Sequence, residues 1–229
     1  MKPKLNVAFV LDRSSSMENI REQTVCWYND QLEALREKQT DLDITVSLVT
    51  FGSDITEHNW AIPLKQVKNC SYGDFNPGGM TALYAGLGVT ISKMLEVEAD
   101  QKLIVLITDG GENSSHNHGW TQPKLVDIKS KCDKSWTFNI IGCESNTIFD
   151  LTSTLNIPTS NCMQFGAQGP TGPTGAVGPA GQDEWNSTMK NVRSKQRSAV
   201  SSYLCSVASG TEVNSFYESN NVLKVSNEV

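Results

Sequence analysis

Val7-Ala8-Phe9-Val10-Leu11-Asp12-Arg13-Ser14-Ser15-Ser16-Met17 decides the fold. Five apolar residues run directly into a carboxylate, and two hydroxyls follow at alternate positions. An unbroken apolar run predicts a strand buried on both faces, as in parallel sheets. A charged residue just past such a strand lies at its carboxyl end, where open α/β sheets bind ligands. Asp12, Ser14 and Ser16 thus offer three oxygens from one short loop. Hard oxygen donors suit Mg²⁺ or a similar divalent cation.

The same theme returns downstream. Lys102-Leu103-Ile104-Val105-Leu106-Ile107-Thr108-Asp109-Gly110-Gly111 is a second apolar strand ending in a carboxylate. Between the two, helical spacing predicts a helix from about Met17 to Lys38, and β-branched residues predict a strand over Ile44–Phe51. Gly52-Ser53-Asp54 signals a turn, and Ile55–Ile62 is expected to return as an antiparallel edge strand. Asn76-Pro77-Gly78-Gly79 is a loop, with a helix starting near Thr81. After Asp109 come a helix near Thr121–Asp133, a strand at Trp136–Gly142, a helix around Thr147–Leu155 and a short strand at Asn161–Phe165. This alternation predicts an α/β fold: a doubly wound, mostly parallel sheet with one antiparallel edge strand and helices on both faces.

The composition then breaks. From Gly169 to Gly181 glycine stands at every third position, a collagen-like repeat. Residues 183–205 return to helix, with Trp185, Met189, Val192, Gln196, Ala199 and Tyr203 on one face. The expected organisation is a domain over 1–166, a Gly-x-y insert over 167–182, a last helix over 183–205 and a Ser/Asn-rich tail over 206–229, with Phe216-Tyr217 as its anchor. As a polyproline-type rod the repeat would span roughly 40 Å. A loop that lets the last helix dock at home and a trimeric stalk therefore exclude each other. The apolar helix face favours the loop, hence a monomer, with a homotrimer as the alternative.

A net charge of −6 argues against nucleic acid and against anionic membranes as partners. No apolar run is long enough to span a bilayer, and Met1-Lys2-Pro3-Lys4 is not followed by a signal-type apolar stretch, so a cytoplasmic protein is expected. Six scattered cysteines without a Cys-x-x-Cys pair are expected to be buried free thiols.

Asp12-x-Ser14-x-Ser16, Thr81 and Asp109 meet if the first and fourth strands are neighbours at a topological switch point. Each residue alone has a plainer role: an Asp after a strand, or Thr81, can simply cap the next helix. Together they resemble the metal-ion-dependent adhesion site of von Willebrand factor A domains. The resemblance covers residues 4–166 and 183–204. Gly79-Met80-Thr81-Ala82-Leu83, Ile107-Thr108-Asp109-Gly110-Gly111-Glu112-Asn113 and Trp136-Thr137-Phe138 with Ile141-Gly142 are similar to small stand-alone bacterial and phage members. It implies Mg²⁺, with Mn²⁺ or Ca²⁺ as alternatives, held by Asp12, Ser14, Ser16, Thr81 and Asp109. It also implies a protein partner whose Asp or Glu completes the coordination.

Arg13, Gly79, Glu112, His116 and His118 would form the partner-binding rim; the plainer role for the histidines is an exposed polar loop. Trp120 either joins the rim or packs beneath it. No catalysis is expected: there is no Gly-x-Ser-x-Gly elbow, and His58, His116 and His118 have no triad context. The repeat resembles the short collagen repeats of phage structural proteins, which implies as an alternative a virion or surface structural protein using the site for adhesion and the repeat for trimerisation.

Overall fold

A computed structural model describes residues 1–142, 145–164, 179–211 and 215–217. Its framework is a sheet of six strands: β1 (Lys4–Asp12), β2 (Asp43–Phe51), β3 (Ile55–Pro63), β4 (Gln101–Thr108), β5 (Trp136–Gly142) and β6 (Cys162–Gln164). The spatial order is β3-β2-β1-β4-β5-β6. All pairings are parallel except β2 with β3. The chain therefore leaves β1 towards one side and β4 towards the other, which opens a crevice between their carboxyl ends.

Strand alternation sorts the core into two layers. Leu5, Val7, Phe9 and Leu11 of β1, with Leu103, Val105 and Ile107 of β4, face helices α1 (Arg21–Lys38) and α5 (Pro179–Ser209). Ala8 and Val10, with Ile104 and Leu106, face α2 (Leu83–Leu95), α3 (Gln122–Ser130) and α4 (Ser145–Leu155). Covering both faces explains why β1 and β4 carry no alternating polar residues.

Several boundaries differ from expectation. Met17 does not open the first helix. Ser15–Ile20 forms a 3-10 turn, with Met17 and Ile20 buried beneath it, and α1 begins at Arg21. Helix α2 starts two residues beyond Thr81, with Ala82 in the capping position. Helix α5 begins at Pro179, inside the stretch assigned to the insert. The rest of the expected insert, residues 167–178, lies outside the described residues. Val192, Gln196, Ala199, Val200, Tyr203, Leu204 and Val207 of α5 are buried. Arg193 and Arg197 pair with Asp30 and Glu37 of α1, so α5 lies on its own domain.

Phe216 and Tyr217 are 3% and 1% exposed and sit in the layer beneath α5. The Tyr217 hydroxyl lies 2.9 Å from Asn139 Oδ1 and also in hydrogen-bond contact with Gln196, sharing its one proton between them. The expected uniform burial of the thiols is corrected: Cys162 is buried, Cys26, Cys70 and Cys132 are half-buried, and Cys205 is exposed, all of them free. Cys143 lies outside the described residues. No helix among the described residues is long and apolar enough to cross a membrane.

Candidate metal centre

Asp12 is the last residue of β1 and is 0% exposed. One carboxylate oxygen, Oδ1, accepts the Ser14 backbone N–H at 2.7 Å, an Asx turn that curls the loop back over the strand end. The other, Oδ2, accepts the Thr108 hydroxyl at 2.6 Å from the neighbouring β4. The Ser14 and Ser16 hydroxyls lie 3.2 Å apart, and Ser16 donates to Asp109 Oδ1 at 2.8 Å. Asp12, Ser14, Ser16 and Asp109 thus form one connected cluster at the β1–β4 crevice.

Thr81 is brought in through its neighbours. The Gly78 N–H donates to the Arg13 carbonyl at 2.7 Å, while the Ser15 N–H and hydroxyl donate to the Gly79 carbonyl at 3.2 and 3.1 Å. From the other side, Asn113 Oδ1 accepts the Thr81 N–H at 2.8 Å. The Thr81 carbonyl accepts N–H groups from Asn113 and Ser114 at 3.0 and 3.2 Å. Thr81, 5% exposed, is bracketed between the serine loop and the loop that follows Asp109.

Burial pushes the Asp12 carboxyl up from 3.8 to about 6, with the negative charge of Asp109 adding to it; hydrogen bonds from Thr108 and Ser14 oppose the shift. Among the described residues no Lys, Arg or His forms an ion pair with Asp12. A buried carboxylate beside a second one, without a cationic side chain, is electrostatically incomplete. The donors are two carboxylates and serine or threonine hydroxyls, which fits a hard divalent cation that keeps several waters. Among the described residues no three His, Cys, Asp or Glu side chains converge as a metal cage, so any ion here must draw on hydroxyls.

The rim residues divide. Arg13 is ion-paired with Asp54. Gly79 has φ +81°, and a Cβ there would lie 2.3 Å from Ser53 Oγ, so the turn tolerates no side chain. His116 is exposed, while His118 Nε2 lies 2.8 Å from the Ser53 carbonyl. Glu112 is half-buried, and its carboxylate accepts from Tyr84, Ser114 and Ser115. Trp120 packs beneath the loop against Ala82 and Ala85. Sequence reasoning missed the supporting roles of Thr108, Asn113, Ser115 and Ser53. Thr108 and Asn113 do stand in the Thr108-Asp109 and Glu112-Asn113 phrases, so the strand-end context was the available signal.

An open sheet with an oxygen-lined loop cluster at its switch point defines an α/β domain that presents its site on the carboxyl edge of the strands. The profile of the von Willebrand factor type A domain matches residues 6–166, and the chain belongs to that family. No curated protein matches the chain. Proximal thread matrix protein 1 from the mussel byssus is similar in structure at TM-score 0.53 and 18% identity, over 86% of this chain and 46% of that one. The PilB minor pilin from Streptococcus sanguinis is similar at 0.50 and 16%, over 84% and 62%. The manganese-loaded TRAP protein of Plasmodium vivax is similar at 0.50 and 16%, over 72% and 69%. At these identities the likeness concerns the fold. The chain spans about half to three-fifths of the length of the pilin and byssus proteins.

Proposed function

We propose that this protein is a metal-dependent protein-binding module without catalysis of its own. Asp12, Ser14, Ser16, Thr81 and Asp109 hold Mg²⁺, or Mn²⁺ in its place, directly or through water. An Asp or Glu of a protein partner completes the coordination. The observation that carries this is the buried Asp12 carboxylate, set beside Asp109 and lacking an ion-pair partner among the described residues. A divalent cation supplied from solution would give the buried Asp12 carboxylate a positive counter-charge. Two carboxylates balance the ion while leaving it attractive to a third. A similar fold solved with manganese bound supports the choice of a divalent ion. Packing of α5 on α1 supports the domain acting as a monomer rather than through a stalk.

The test is calorimetric titration of EDTA-stripped protein with MgCl₂ and MnCl₂, alongside Asp12→Ala and Asp109→Ala. Saturable binding by the wild type, lost in both variants while circular dichroism is unchanged, is the expected result. Equal binding by all three proteins would refute the assignment.

A further inference from the structure

We propose that Glu112 is a positioning residue: it caps helix α2 from a distant loop and so keeps the Thr81 hydroxyl free for the cation. This rests on the metal-binding reading above. A helix leaves its first N–H groups without intrahelical partners. A threonine just ahead of a helix ordinarily takes one of them, by preference the N–H three residues on. For Thr81 that N–H belongs to Tyr84.

The structure gives that donor to another acceptor. The Tyr84 N–H donates to Glu112 Oε2 at 2.9 Å, and the next one, Ala85 N–H, donates to Ser115 Oγ at 2.9 Å. Helix α2 has no cap from its own leading residue. Glu112 is held for this task, because Oε1 accepts the Ser114 and Ser115 N–H groups and Oε2 also accepts the Ser115 hydroxyl. A carboxylate there is favoured by the positive end of the helix. Both backbone groups of Thr81 are engaged by Asn113 and Ser114, yet its hydroxyl makes no hydrogen bond among the described residues. The plainer role for Thr81, a helix cap, is therefore filled by Glu112, and the threonine oxygen is left over for a ligand.

Glutamine at 112 has the same shape but presents an amide N–H₂ at one end, so it cannot accept at both. The Tyr84 N–H is then left to recruit the Thr81 hydroxyl, which turns away from the cluster. The experiment is titration of the EDTA-stripped full chain with MnCl₂, with melting temperatures measured in EDTA. Glu112→Gln is expected to weaken Mn²⁺ binding about 10-fold or more, the range seen for groups that orient metal ligands. Ser115→Ala removes the Ala85 cap and the hydroxyl contact on Glu112 Oε2, but leaves the Tyr84, Ser114 and Ser115 N–H groups to hold that carboxylate. It is expected to lower the melting temperature but leave Mn²⁺ affinity within about twofold. In a Thr81→Ala background Glu112→Gln is expected to cause no further loss, since both act through one oxygen.

Equal weakening by Ser115→Ala and Glu112→Gln would mean mere support of the loop and would overturn the inference. So would an unchanged affinity in Glu112→Gln while Asp12→Ala abolishes binding. Full affinity in Asp12→Ala would instead sink the metal-binding reading, and this inference with it. If Glu112→Gln does not fold, Glu112→Asp takes its place with the same expectation, because its shorter side chain withdraws from Tyr84.

Discussion

Asp12 is the residue on which the chemistry turns, and its burial has a measurable pH signature. Its carboxyl titrates near 6 when folded and near 3.8 when not, so the metal-free folded state binds the proton more tightly. Stability from this group is therefore highest below about 3.8 and declines as pH rises towards 6. The full penalty above 6 is on the order of 3 kcal/mol. Asp12→Asn abolishes that penalty. In EDTA its melting temperature is expected to exceed that of the wild type at pH 7, with the gap closing by pH 4. With Mn²⁺ present the order is expected to reverse on the proposed metal-binding reading, because a carboxylate offsets the ion's charge and an amide does not. Differential scanning calorimetry at both pH values checks each sign. The Asp-x-Ser-x-Ser loop was legible because its residues are consecutive. Its support was not: Thr108 lies 96 residues from Asp12, and Glu112 lies 28 from Tyr84, separations at which local pattern carries no information.

At the scale of elements, α5 and the segment after it close one face of the sheet. Leu204 is fully buried there, and Leu204→Ala is expected to cost about 2–5 kcal/mol in a urea melt. Phe216 and Tyr217 are as buried as strand residues, and Tyr217 is tied to β5 through Asn139 and to α5 through Gln196. Ending the chain at Thr211 removes both rings. By the cost of deleting one buried aromatic side chain, about 3–5 kcal/mol, it is expected to lower the unfolding midpoint sharply while leaving the strand-end cluster in place. Phe216-Tyr217 could be picked out in a polar tail by composition alone, but what the two rings fill could not. The edge strand β3 was legible from its turn signal and Pro63, because an edge tolerates a residue without an N–H.

For the molecule as a whole, the two helix layers leave the carboxyl edge of the sheet as the place for a partner. A ligand that binds only the folded state raises stability by mass action. Saturating Mn²⁺ is therefore expected to raise the melting temperature of the wild type and not that of Asp109→Ala. Sedimentation equilibrium is expected to return a monomer, because α5 spends its apolar face on its own sheet. A stable trimer would instead favour the structural reading tied to the Gly-x-y repeat.

The order of apolar runs, each closed by a carboxylate or a glycine turn, was enough to specify a doubly wound sheet and to place Asp12 and Asp109 at strand ends, while the adjacency of those two strands came from the sheet order. Hydrophobic periodicity is local, and strand ends follow from where it stops. Tertiary structure alone decided which hydroxyls remain available. Hydrogen bonds are pairwise and short, so it is Glu112, which only folding brings to the start of α2, and not Thr81 that accepts the Tyr84 N–H.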